Sequence, residues 1–194
     1  MLFVGINPGI RSALTGHHFA GFSNRFWKVL YQSRLVPEPI TFQDDDRLPD
    51  WGFGITNLVS RATPGIDTLR PHEYVGGRKK LAAKVRRFKP RIVALVGVTV
   101  FRAMFPEHKG PVALGLQAPA LGGAAVFVLP NTSGRNANFS YAEMLSAFRS
   151  LRKCRTRLHG ASERKPSECG ARRPTAPRRR RSADGVRRSR SPAR

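Results

Sequence analysis

Asn7 sits in the run Phe3-Val4-Gly5-Ile6-Asn7-Pro8-Gly9, where a short apolar stretch stops on two glycines, a proline and one amide side chain. An amide does not titrate usefully, so Asn7 is no strong base. It can hold a water through its carbonyl oxygen and donate through its NH₂ group. Gly5, Pro8 and Gly9 fix the backbone around it and let a ligand approach closely. The competing structural account is a turn asparagine that bonds its own backbone. A second polar loop, residues 131–138 (NTSGRNAN), follows another apolar run. No G-x-x-x-x-G-K-[ST] or G-x-G-x-x-G pattern follows a strand, so a nucleotide-dependent enzyme is a weak candidate. Cys154 and Cys169 are the only cysteines. Two thiols are too few for an iron–sulfur cluster, and no Cys/His spacing reads as a zinc site. No metal and no cofactor are expected.

The elements that must position these loops alternate. Leu2–Ile6 reads as a buried strand, and Asn24 as the cap of a helix through Gln32. Residues 51–60 suggest a second strand after an acidic loop at Asp44–Asp46. Pro71 opens a helix to Phe88. Residues 91–97 (RIVALVG) read as a central strand, followed by a helix through Met104. Residues 124–129 form a further strand stopped at Pro130, and 139–152 the last helix. The order predicts an α/β fold, a three-layer αβα sandwich around a short, mainly parallel sheet. Ligands collect at the carboxyl ends of such strands, so both polar loops should face one crevice.

The formal charge is +23 over 194 residues. From Cys154 onward there are 14 Lys/Arg against three acids, a balance of +11, which leaves +12 for the first 153 residues. The body is basic without its tail and favours a polyanion such as nucleic acid. The cluster Arg78-Lys79-Lys80, with Lys84, Arg86 and Arg87, reads as a solvated helix face or as phosphate contacts. Residues 1–153 are expected to form one domain. Residues 154–194, rich in Arg, Pro, Ser, Ala and Gly, read as a disordered Arg-rich tail. A DNA-tethering arm, an inconsequential solvated tail and the misread end of a GC-rich gene all fit that composition. No stretch approaches the ~18–20 apolar residues of a membrane span, and no secretory signal precedes Leu2. A cytoplasmic, nucleoid-associated address is expected in a prokaryote, and a nuclear one in a eukaryote.

Four segments taken together, GINPG, GHHFAGFSNRFW (16–27), GFGITNLVSRATPG (52–65) and LPNTSGRNA (129–137), carry a resemblance. Over residues 2–152 the chain resembles the mismatch-specific uracil/thymine-DNA glycosylases of the uracil-DNA glycosylase superfamily. GHH, and TN followed by RATPG, look closer to the thymine-DNA branch than to the bacterial Mug branch. The resemblance implies a metal-free, monofunctional DNA glycosylase. It would flip uracil, and thymine too, out of a G·U or G·T mismatch in double-stranded DNA and hydrolyse the N-glycosidic bond.

It also implies roles. Asn7 orients the attacking water. Phe19 stacks under the flipped base, and the N–H groups of Ile6 and Phe19 read its edge. His18, or His17 beside it, donates to the base. Asn24 and Asn57 line the pocket, Asn57 standing where Mug-type sequences carry lysine. Ser133, Gly134 and Arg135 form the wedge that enters the duplex, with Arg135 at its tip. Thr132 replaces a proline common in Mug-type loops, which implies a less rigid loop. Relatives carry more chain before the first strand, so a natural start upstream of Met1 is expected. The protein is read as a monomer. The alternative function is a DNA-binding module that recognises mismatches without cutting.

Overall fold

The computed structural model describes residues 1–163. In chain order the elements are β1 (Leu2–Gly5), α1 (Ile10–Thr15), α2 (Phe26–Gln32), a 3-10 stretch (Phe42–Trp51), β2 (Gly54–Asn57), a 3-10 turn (Ile66–Thr68), α3 (Pro71–Phe88), β3 (Ile92–Val96), α4 (Val98–Met104), β4 (Gly115–Leu121), β5 (Ala124–Leu129) and α5 (Tyr141–Glu163). The sheet runs β2-β1-β3-β5-β4. All neighbours are parallel except β4, which lies antiparallel to β5.

Apolar residues on both faces of each central strand make the three layers. Phe3, Ile92, Ala94, Phe127 and Leu129 point to one side and pack with Phe26 and Leu30 of α2 and with Met144, Phe148 and Leu151 of α5. The alternate residues Val4, Val93, Leu95, Val126 and Val128 point to the other, against Leu81 and Val85 of α3 and Phe101 and Met104 of α4. Successive side chains of a strand alternate faces, so a continuous apolar run serves two helical layers at once.

The observed elements differ from the sequence expectations in identifiable places. The second strand is confined to 54–57, because the residues before it, with the supposed acidic loop, wind into a 3-10 stretch. That stretch opens on a capping box in which Thr41 and Asp44 satisfy each other. It ends at Gly52 in the left-handed region at φ 74°. β4 was not foreseen. It reads GLQAPAL, contains a proline and slips register between Leu116 and Ala120, features tolerated only at a sheet edge.

The last helix starts at a capping box between Ser140 and Glu143 and runs on to Glu163. The domain boundary expected at residue 153 therefore falls inside α5. Cys154 and Leu158 continue the apolar stripe set by Leu151. Arg155 donates from Nη2 to the Trp51 carbonyl at 2.8 Å and lies over the Phe53 ring. Composition hid this, since a helix needs apolar residues on one stripe only. The expectation of disorder for 164–194, and Cys169, lie outside the described residues.

Candidate active site

β1 lies between β2 and β3, and the chain leaves it first to one side and then to the other. Connections that diverge in this way open a crevice at the carboxyl ends of the strands. Here it encloses about 690 Å³. It is walled by the loops after β1, β2 and β5 and by the segment ahead of α2, so the two polar loops do share one crevice.

Asn7 lies at its base, half-buried. Its Nδ2 donates to the Arg61 carbonyl at 3.1 Å, to Thr63 Oγ1 at 2.7 Å and to the Pro8 carbonyl at 3.2 Å. Carbonyls only accept, so these partners fix which end of the amide is NH₂. The opposite end, Oδ1, takes no hydrogen bond from the described residues. Thr63 is itself 3% exposed and donates its hydroxyl to the Gly65 carbonyl at 2.6 Å. Backbone bonds from Leu58, Val59 and Thr63 to Gly5, Ile6 and Pro8 sew the loop after β2 onto the loop after β1. Arg61 anchors that loop in turn. Its guanidinium meets both Glu73 oxygens, at 2.8 and 2.9 Å, and the Thr68 carbonyl at 2.7 Å. The hydrogen bonds from Arg61 and from the Arg70 backbone hold the Glu73 carboxyl down at about 2.

Gly5 gives the crevice its floor. A Cβ there would fall 2.5 Å from Asn57 Oδ1 and 3.2 Å from Phe19 Cζ. Only a hydrogen lets those two side chains close in, with Asn57 at the end of β2 in register with Gly5. Phe19 takes the left-handed φ of 52° and stacks on Phe26, ring centroids 4.3 Å apart and planes 17° from parallel. Left-handed backbone costs a non-glycine residue about 1–2 kcal/mol, and an aromatic stack returns only about 0.5–1.5 kcal/mol. The conformation therefore needs a further hold, and the preceding residue supplies it. The His18 N–H donates to Asp45 Oδ2 at 2.8 Å, and its carbonyl accepts from Trp27 Nε1 at 3.1 Å.

Asp45 also binds both imidazoles, His17 Nδ1 at 2.9 Å and His18 Nδ1 at 3.0 Å. Burial alone would raise the Asp45 pKa, but the hydrogen bonds from His17 and His18 outweigh it and hold the carboxyl below the ordinary aspartate range. A carboxylate only accepts, so each ring carries its proton on Nδ1. His18 is thus bound to the 3-10 stretch and is absent from the crevice wall.

Asn24 does line the crevice, while its Oδ1 accepts from Phe26 N at 3.0 Å in an Asx turn leading into α2. Helix α2 itself begins at Phe26. On the far rim, Ser133 and Arg135 line the opening, and Arg135 Nη1 donates to the Pro64 carbonyl at 3.0 Å, bridging the loops after β5 and β2. Gly134 is packed behind them, where a Cβ would collide with the Ser23 side chain. Thr132 is fully buried, and its carbonyl accepts from Arg25 N at 2.9 Å, so the loop is anchored at this point. Of the residues given site roles from the sequence, Ile6, Asn7, Phe19, Asn24, Asn57, Ser133 and Arg135 line the crevice, whereas His17, His18 and Gly134 do not. The helical basic cluster is partly committed elsewhere: Arg78 to the Ala103 carbonyl and Lys84 to Thr56 Oγ1.

Four residues in or behind the site escaped the sequence reading. Thr63 and Arg61 flank Ala62 in a run valued only for its resemblance. Asp45 lay in an acidic stretch with no spacing signal. Asn131 lines the crevice with Oδ1 taken by Ser133 N at 3.0 Å, which leaves its NH₂ without a partner among the described residues.

A short, mainly parallel sheet between two helical layers thus carries amides at its switch point and an arginine across the rim of the crevice. The family model of the uracil DNA glycosylase superfamily matches residues 1–152, and the chain belongs to that superfamily. Its members are DNA glycosylases, hydrolases whose substrates are DNA. No helix among the described residues is long and apolar enough to cross a membrane.

Proposed function

We propose that the protein is a monofunctional glycosylase of the mismatch-specific uracil/thymine branch. It would release uracil, and also thymine, opposite guanine in double-stranded DNA, in the nucleoid of a prokaryote or the nucleus of a eukaryote. The observation that carries this reading is the orientation of Asn7. Three acceptors hold its NH₂, so its Oδ1 is the end left to hold a water.

The chemistry then follows from what the side chains can do. A base inside a duplex must leave the stack before its sugar is reached. Arg135 at the rim supplies the planar group that fills the vacated space and donates to the widowed guanine. The extruded base lies on Phe19, where stacking contributes about 1–3 kcal/mol without regard to base identity. The N–H groups of Ile6 and Phe19 and the amides of Asn24 and Asn57 receive its edge.

An amide cannot take a proton from water, so water does not attack as hydroxide. The bond between C1′ and the base nitrogen breaks first, and its electron pair leaves with the base. Donors aimed at the base stabilise that charge, and the Asn131 NH₂ is a further group on this wall. The water held by Asn7 then adds to C1′. One of its protons is lost to solvent and the departing base takes one up, giving free base and an abasic site. Positioning, rather than proton abstraction, is what Asn7 contributes.

The test is a labelled duplex with one G·U pair, incubated with the protein and then treated with alkali. Cleavage at the uracil position only after alkali is the expected result. An intact strand despite tight binding would make the protein a mismatch-binding module instead. Cleavage without alkali would point to a lyase and overturn the monofunctional reading.

A further inference from the structure

Arg11 lies on α1 and lines the crevice beside the Asn7 loop. Its guanidinium carbon is 3.3 Å from the centre of the Phe22 ring and 5.5 Å from that of Phe42. The guanidinium makes no hydrogen bond or ion pair with any described residue, and its Nε is buried without a partner. The contact with the Phe22 ring holds the group in place but satisfies none of its five N–H donors. A buried donor left unpaired in a folded chain calls for an explanation, and a missing acceptor is the simplest one.

Phe22 is 90% exposed, the most exposed large apolar side chain among the described residues. Its neighbours Gly21 and Ser23 both line the crevice. Ser23 is also the residue against which Gly134 of the Arg135 loop is packed. The Arg11–Phe22 pair therefore belongs to the same rim as Arg135.

We propose that Arg11, seated over the Phe22 ring and near Phe42, is a phosphate clamp for the DNA strand that enters this crevice, and that Phe22 is the positioning residue that holds its guanidinium. This rests on the glycosylase reading for the identity of the ligand. The chemistry fits a phosphodiester: a planar fork with free Nη groups matches two phosphate oxygens. No carboxylate among the described residues neutralises Arg11, and the protein is basic enough to bring a polyanion to it. Taking up a phosphate also explains why a solvent-exposed phenylalanine stands at this rim.

The experiment measures binding of the full chain to a duplex with a tetrahydrofuran abasic analogue opposite guanine, across about 50–200 mM salt. Arg11→Gln is expected to weaken binding about tenfold and to flatten the log–log salt slope by about 0.9, the signature of one lost phosphate contact. Arg11→Lys keeps the slope but stays weaker than the parent, since an ammonium has no fork. Phe22→Ala, an exposed change that leaves the core alone, weakens binding about threefold with the slope retained. Methylphosphonates placed singly beside the lesion should include one position that hurts the parent and leaves Arg11→Gln unaffected. An unchanged slope in Arg11→Gln, or equal losses for both proteins at every methylphosphonate, overturns the clamp. Base release is scored separately on G·U. Its absence from the parent protein would sink the glycosylase reading while leaving the salt slopes to stand, whereas release with an unaltered slope would sink only the clamp.

Discussion

Thr63 Oγ1 accepts from the Asn7 amide at 2.7 Å and donates its own hydroxyl hydrogen bond to the Gly65 carbonyl at 2.6 Å. This chain of hydrogen bonds holds the NH₂ end of Asn7 and leaves its Oδ1 without a partner among the described residues. Thr63→Ala removes the shortest of three acceptors and leaves two carbonyls, so Asn7 should remain in place but rotate more freely. Single-turnover base release is expected to fall about ten- to a hundredfold, with a stability loss of about 1 kcal/mol. Thr63→Ser should restore most of the rate, and DNA affinity should change little throughout. A rate equal to that of the parent protein would show that this chain of hydrogen bonds has no part in positioning.

Asn7→Ala should bind DNA and lose most turnover. Asn7→Asp is the sharper test. It places acceptor oxygens where the Arg61 and Pro8 carbonyls already present acceptors. Unpaired buried acceptors cost about 1–3 kcal/mol, which should appear as a drop of several degrees in melting temperature at neutral pH. A melting temperature above the parent's would mean that the amide orientation described above is wrong.

Arg135 spans the rim to the Pro64 carbonyl, and the hydrogen bond must open for the side chain to enter a duplex. Arg135→Ala should weaken binding to mismatched duplex and slow base release from it, while release from single-stranded uracil-DNA changes little. Equal losses on the two substrates would remove the wedge.

Glu73 gives a stability test by pH. Its folded pKa of about 2 lies below the ordinary 4.5, mainly through the hydrogen bond from Arg61. A depressed carboxyl pKa stabilises the fold above the ordinary value, and that contribution fades as pH falls from 4.5 towards 2. Urea midpoints of the parent and Glu73→Gln should therefore differ most at pH 7, draw together below pH 4.5 and converge only as pH approaches 2. The Arg61 partner is half exposed, so the difference should also shrink in high salt. A gap that widens in acid would contradict the assignment.

The continuation of α5 predicts a penalty for cutting at 153. A chain ending at 163 retains the Arg155–Trp51 bond, the Arg155 stack on Phe53 and the packing of Leu158. A chain ending at 153 should melt several degrees lower. Identical melting curves would mean that the last turns of α5 contribute nothing to the domain.

The sequence by itself determined the alternation of strands and helices, because short apolar runs ended by glycine or proline and period-3.6 apolar stripes depend on near neighbours in the chain. α3 is found between Pro71 and Phe88 as its proline start and apolar stripe suggested. Asn7 was legible because glycine and proline around a lone amide leave a local mark. What only the tertiary structure decided are pairings between segments far apart in the chain: Thr63 with Asn7, Asp45 with two histidines, Arg155 with Trp51. Such contacts arise when parallel strands bring their loops to one edge, and a spacing rule has no access to them. The same cause removed His18 from the crevice, since a carboxylate 27 residues away in the chain binds both its ring and its backbone.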